Sequence, residues 1–188
     1  MQSSINPTLR VLKGMRRPRQ IVQGARYHVI ARVNRQEFIL ESDLVKEMFL
    51  EALAQSRDRY EFTVDTLCIM SNHVHLLIQP GKSQSLSRIM QWILSVFAIR
   101  YNRMCGVTGH VWYDRFKSSV LGSLRQFIRA YHYIVNNPVR AGIVETADEY
   151  HYGGLWCLLD GRLGPNGPPS WIGALLSRRD DWPQSPKP

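Results

Sequence analysis

The chain has 188 residues and a formal net charge of +9, with 44% hydrophobic and 21% charged residues. That is the balance of a folded soluble domain rather than of a disordered segment. Three widely spaced cysteines, Cys68, Cys105 and Cys157, give neither a disulfide framework nor a CxxC zinc pattern, so a reducing cytoplasm is the expected compartment. No stretch reaches the roughly 20 apolar residues of a membrane helix, and the basic N-terminus lacks the apolar run of a signal peptide.

In chain order, residues 1–23 are polar, basic and aperiodic and read as a flexible arm. Residues 24–157 carry the periodicity of a folded domain. Tyr27, Val29, Ala31 and Val33 alternate with more polar neighbours, which predicts a strand. Ser42 suits the cap of a helix bearing Leu44, Val45, Met48, Phe49, Ala52 and Leu53 on one stripe. Phe62 to Met70 reads as a second strand, Ser71-Asn72 as a turn, and His73 to Gln79 as its hairpin partner, ended by Pro80-Gly81. Leu86, Ile89, Met90, Ile93, Leu94 and Phe97 mark an amphipathic helix that continues to about Tyr101. Val111 to Val120 reads as a fourth strand, and a last helix runs from about Ser123 until Pro138 stops it. Residues 158–188 hold six of the ten prolines and read as an irregular tail, with one apolar piece from Trp171 to Leu176. The order β-α-β-β-α-β-α predicts an α+β, ferredoxin-like antiparallel sheet with one additional C-terminal helix. Such a fold is compatible with many activities.

Charge is unevenly spread along this frame. Residues 26–81 hold six basic and eight acidic residues, whereas residues 82–140 hold nine basic and one acidic. A strongly basic stretch inside the folded part is the footprint of a polyanion binder.

The sharpest local feature is Asn72-His73-Val74-His75-Leu76-Leu77-Ile78. On a strand, His73 and His75 share one face while Val74, Leu76 and Ile78 share the other. Two imidazoles about 6–7 Å apart along the strand can converge on one ion, although a pair alone does not complete a site. The last helix offers more. At 100° per residue from Leu124, Phe127, Ile128, Tyr131, Ile134 and Val135 fall within about 80° of the origin and form a buried stripe. Tyr133 falls at about 180°, among Gln126, Arg129 and, at the helix end, Asn137. Tyr131 therefore has a packing explanation, while Tyr133 is either a snorkelling ring or a functional one.

A phenol is a weak nucleophile at neutral pH, its ordinary pKa being about 10. A divalent cation held by two histidines and an amide oxygen would neutralise charge on a phosphate as a tyrosine attacks it. The product would be a phosphotyrosine link. Gly81-Lys82-Ser83 imitates the end of a phosphate-binding loop, but Leu76 stands where its first glycine belongs, and no GxSxG, HExxH or GxGxxG occurs.

Five segments resemble the REP-associated tyrosine transposases, within the His-hydrophobe-His (HUH) single-strand endonuclease superfamily. They are Ala25-Arg26-Tyr27-His28-Val29, Cys68 to Leu77, Tyr101-Asn102-Arg103, Gly109 to Ser118, and Tyr133 to Gly142 with its Asn136-Asn137-Pro138 centre. The resemblance covers roughly residues 24–157. It implies a ferredoxin-like domain that cleaves and rejoins single-stranded DNA at hairpins, leaving a 5′-phosphotyrosine and a free 3′-hydroxyl, with Mg²⁺ or Mn²⁺ as cofactor. Carried over by position, Tyr133 resembles the nucleophile, His73 and His75 the metal ligands, and Asn137 the third, amide ligand. Two departures stand out: Val33 where the family usually has glycine, and His151-Tyr152-Gly153-Gly154 where it tends to have Trp-Ser-Ser.

Arg26, Arg88, Arg100, Arg103, Arg115, Lys117, Arg129 and Arg140 are the basic residues nearest these segments and the expected phosphate contacts. His28, His110, Trp112 and Tyr113 suit stacking on unpaired bases, with core packing the stronger expectation for Trp112. The competing expectation is a regulatory protein that binds hairpin DNA without cutting it. A zinc-stabilised domain is disfavoured by the cysteine spacing. The loop before Ser123 fits both a monomer and a homodimer that exchanges the tyrosine helix.

Overall fold

Alternation in the first strand decides what each side of the sheet carries. β1 (Arg26–Arg32) buries Tyr27, Val29 and Ala31 on one face and sends Arg26, His28, Ile30 and Arg32 to the other, the period-2 outcome of its sequence. The computed structural model describes residues 22–163; nearly all of the basic arm and the proline-rich tail with Trp171 to Leu176 lie outside the described residues. β2 (Phe62–Ile69) and β3 (His73–Pro80) form a hairpin, β3 pairs with β1, and β1 pairs with β4 (Lys117–Leu121). The sheet order is β2-β3-β1-β4, antiparallel throughout. With α1 (Asp43–Ser56) and α2 (Leu86–Cys105) as crossovers, this is the expected ferredoxin-like arrangement.

Trp112 shows which face the two crossover helices cover. It bridges Val33, and its ring packs on Phe49 of α1 and Phe97 of α2. The indole Nε1–H donates to the Leu94 carbonyl, so Trp112 is a core residue. Both helices therefore lie on the Val29 side, as right-handed crossovers require. Along α1 the buried stripe is Val45, Phe49, Ala52 and Leu53, while Leu44 faces solvent. Ser42 caps this helix by accepting from the Val45 N–H. The fourth strand is shorter than the β-rich sequence suggests, because Trp112 turns into the core and the ladder resumes only at Lys117. Among the described residues no helix is long and apolar enough to cross a membrane.

The opposite face is covered by α3 (Leu124–Val135), capped by Ser123 and buried through Phe127, Tyr131, Ile134 and Val135. This helix ends at Asn136, whose φ of −89° and ψ of 8° leave the helical path. Pro138 then sits in the first turn of a separate short helix, α4 (Asn137–Arg140). Proline is tolerated there because its missing N–H would have no partner anyway. So Pro138 opens a new turn rather than simply closing the old one.

A further helix, α5 (Gly154–Leu159), was not signalled by periodicity. It packs against β2: Gly153 bridges Cys68, and the Ile69 N–H donates to the Tyr152 carbonyl. A Cβ at Gly154 would stand 1.8 Å from Thr66 Oγ1, so no larger residue fits while the sheet keeps this contact. The departure at residues 151–154 is thus matched to the sheet surface beneath it.

Candidate active site

The β1–β3 register sets Arg32 opposite His73 and Ile30 opposite His75, with His28 two pairs further along, opposite Leu77. All six side chains share the face covered by α3, and His28 is the diagonal neighbour of His75. His28 Nε2 lies 2.9 Å from His75 Nδ1 in a hydrogen bond. His73 donates its Nδ1–H to Asn72 Oδ1 at 2.7 Å. The rings of His73 and His75 stand 4.8 Å apart and nearly perpendicular. Each imidazole thus has its Nδ1 engaged by a neighbour, which leaves the Nε2 edge of each ring for other partners. Hydrogen bonding at the far nitrogen is what fixes the tautomer and aim of a metal-binding histidine.

α3 brings the tyrosine to this pair. Tyr133 is 40% exposed, yet its ring centre lies 5.5 Å from that of His75 and 5.9 Å from that of His28. The Arg140 guanidinium covers the phenol ring at 5.3 Å, a cation–π contact that steadies it. Asn137, turned by the break at Asn136, places Nδ2 3.5 Å from His75 Nε2. Amide oxygen and nitrogen exchange places by a half-turn, so Oδ1 can occupy the same position. Tyr131, two residues from Tyr133, is buried, and burial together with the Asp65 carboxylate pushes its phenol up, away from ionisation.

The donor set fits a divalent cation. Burial, with smaller contributions from His73, His28 and Arg32, pushes His75 down to about 3, and burial likewise lowers His28 and His73. Neutral imidazoles, with a lone pair on one ring nitrogen, are the form that ligates metal. Among the described residues no group of three His, Cys, Asp or Glu side chains is arranged to hold an ion. An ion here would rest on His73, His75 and the amide oxygen of Asn137.

The structure separates the basic residues into two groups. Lys117, Arg129 and Arg140 lie on the strand and helices that flank the histidines, and Arg115 in the loop just before β4. Arg88, Arg100 and Arg103 lie on α2, beyond the opposite face, where Arg100 donates to Gln55 Oε1 and pairs with Glu51 of α1. Arg26 is on the histidine face, but its Nε–H donates to the buried Asp65 at 2.8 Å and its guanidinium covers Phe127. His28, expected among the base contacts, stands against His75 and Tyr133. Sequence reading missed Arg32 and Arg35. The only signal for Arg32 was its strand parity with His28. Arg35 and Gln36 have φ of 52° and 58°, a left-handed pair of non-glycine residues that follows Val33 and costs about 1–3 kcal/mol each.

The profile of the family described as "Transposase IS200 like" matches residues 21–137. A Haemophilus influenzae protein assigned as a REP-associated tyrosine transposase is 24% identical over 121 residues, covering 59% of this chain and 68% of the relative. A solved REP-associated tyrosine transposase, bound to a REP hairpin, superposes with a TM-score of 0.67 at 18% identity, over 80% of this chain and 88% of that one. At that identity the likeness speaks for the fold. The profile match starts before β1 and ends on Asn137, so it spans His28, the histidine pair and Tyr133 in a single run; the chain belongs to the IS200-like transposase family.

Proposed function

We propose that this protein cleaves and rejoins single-stranded DNA beside hairpins, with Tyr133 as nucleophile. The observation that carries the reading is convergence. Tyr133, the outward tyrosine of α3, stands 5.5 Å from the His75 ring, and Asn137 stands 3.5 Å from His75 Nε2, although some 60 residues of chain separate them from β3. An unpaired strand laid over this face meets the half-exposed phenol from the solvent side.

Tyr133 Oη forms the new bond to phosphorus as the bond from phosphorus to the 3′ oxygen breaks. In the net balance the phenolic hydrogen ends on the departing 3′-hydroxyl, and the downstream strand stays attached to Tyr133 through its 5′ phosphate. Rejoining is the same exchange run from an incoming 3′-hydroxyl. Arg140 over the phenol holds the ring and adds positive charge beside the phosphate. Asn72 and His28 engage the Nδ1 atoms of the two histidines and leave the Nε2 edges for a ligand. Mg²⁺ or Mn²⁺, on His73, His75 and Asn137, would supply charge neutralisation at the phosphate. Lys117, Arg115 and Arg129 supply phosphate contacts along the strand, which position rather than read it. The family resemblance to REP-associated enzymes supports hairpin DNA as substrate and the cytoplasm as the site of action.

Hairpin oligonucleotides with single-stranded flanks, labelled at the 5′ or 3′ end, test this with Mn²⁺ and denaturing gels. Wild type is expected to leave a free 3′-hydroxyl and to retain the downstream label on protein. Tyr133→Phe is expected to bind the same DNA and to cut it at least about 10³-fold more slowly. Binding without cutting by wild type, over a panel of hairpins and metals, would instead favour the non-catalytic hairpin-binding regulator.

A further inference from the structure

A second concave site opens beside the histidines on the same side of the sheet. Its volume is about 350 Å³, and its walls include Ile30, Arg32, Arg35, Tyr113, Arg115 and Lys117. Register fixes its distance from the chemistry. Ile30 pairs with His75 on one side and with Lys117 on the other, and Arg32 pairs with His73. Lys117 is therefore two strand spacings, about 10 Å, from the histidine strand. A DNA strand whose phosphate lies over the histidines reaches this site with a neighbouring nucleotide.

Three features suit the pocket to such a guest. Arg32, Arg35, Arg115 and Lys117 all line the pocket, so four cationic side chains border one concavity against the single carboxylate of Asp114. Asp114, also in the wall, is engaged: it accepts from the Arg115 backbone N–H and has a further contact. Tyr113 is 72% exposed, an aromatic surface with no packing role. Its backbone N–H donates to the Arg32 carbonyl, and the Asn34 N–H donates to the Val111 carbonyl, which fixes the aromatic against the end of β1. The third feature is the left-handed pair Arg35 and Gln36. Residues without glycine's freedom hold this shape only where the surroundings enforce it, and such positions cluster at ligand clamps.

We propose that this pocket takes one unpaired nucleotide adjacent to the scissile phosphate, its base stacked on Tyr113 and its phosphate held by Arg32, Arg35 and Lys117. The proposal rests on the reading of the protein as a single-strand DNA enzyme and adds a specific subsite to it. The volume is near the lower end for small-molecule sites, about 300–1,000 Å³, a size suited to a single nucleotide. Stacking on an aromatic is tolerant of base identity, so the pocket distinguishes unpaired from paired DNA more than one base from another.

The test uses fluorescence anisotropy of the full chain with two labelled probes, a deoxythymidine 12-mer and a 12-mer of abasic phosphodiesters. Wild type is expected to bind the thymidine probe more tightly. Tyr113→Ala should weaken thymidine binding about tenfold while leaving the abasic probe unchanged. Arg35→Ala should weaken both probes by the same factor. Because Tyr113 is exposed, its variant should melt with wild type, which the same samples can verify. Tight thymidine binding that Tyr113→Ala does not alter, or that falls equally for both probes, overturns the pocket and leaves the enzyme reading standing. Failure of wild type to bind single strands at all overturns both. The predicted Tyr113 effect together with no Tyr133 adduct would keep the pocket and remove the chemistry.

Discussion

On one side of the sheet Val29, Ala31, Val74 and Leu76 meet α1 and α2 through carbon alone. On the other side His28 and His75 meet Tyr133 of α3 and Asn137 of α4 through ring nitrogens, a phenol and an amide, with His73 beside His75. The same alternation of β1 and β3 generates both faces. What differs is that the first face is satisfied by area and shape, whereas the second holds three weakly basic rings, His75 buried and His28 and His73 partly so, each with a definite partner. Removing a ring from the first should cost stability; removing one from the second should cost chemistry or ligand affinity. The two tyrosines of α3 show this at closest range: Tyr131 fills the layer under the helix and Tyr133 overlooks the histidines.

The largest separation should appear between Phe97→Ala and Tyr133→Phe. Phe97 is fully buried against Phe49 and Trp112, and its truncation should lower the unfolding free energy by about 3–5 kcal/mol, read from urea denaturation. Tyr133→Phe should leave that midpoint within experimental scatter. Equal destabilisation by both would erase the distinction between the faces.

A smaller effect is expected at His28. Loss of its hydrogen bond frees the His75 ring, so His28→Ala should weaken Mn²⁺ binding about 10- to 100-fold by titration calorimetry. His28→Gln, which keeps a hydrogen-bonding group, should recover part of that loss. An unchanged Mn²⁺ affinity in His28→Ala would return this residue to the DNA-contact role its position in the sequence suggested.

The pH dependence of the metal-free protein should be gentler still. The folded chain keeps His75 neutral down to about pH 3, while an unfolded histidine takes its proton near 6.5. The unfolded state therefore binds the extra proton between those values, and stability falls as pH drops below 6.5. The slope approaches about 1.4 kcal/mol per pH unit for one such group. Saturating Mn²⁺ should deepen the fall, because protons then also displace the ion. A flat profile between pH 7 and pH 5 would mean that His75 is not held neutral by its surroundings.

Much of this contrast was legible in the sequence, for local reasons. Period-2 alternation assigned His73 and His75 to one face, and 100° steps set Tyr133 opposite Tyr131, because both depend only on backbone repeat. Cross-strand relations were not legible. His28 meets His75 through a register that no single strand encodes, so it looked like a base contact. The same holds for Arg32 and Arg35, which acquire meaning only once β1 lies between β3 and β4. Helix α5 was invisible because its reason is steric: Gly153 and Gly154 look like loop residues until Thr66 is found within reach of the absent Cβ. The basic stretch of residues 82–140 divides between the two sides of the sheet. A charge total along the chain ignores the sheet, and α2 carries Arg88, Arg100 and Arg103 to the far side of it.

The central claim, that the outward tyrosine carries the chemistry, is tested most directly by mapping the covalent adduct. Protein incubated with Mn²⁺ and a cleavable hairpin, then digested with trypsin and nuclease, should yield a nucleotide-bearing peptide spanning residues 130–140, which contains both Tyr131 and Tyr133. Fragmentation should place the phosphodiester on Tyr133 with Tyr131 unmodified. A nucleotide on Tyr131, or on any residue outside that peptide, would contradict the account.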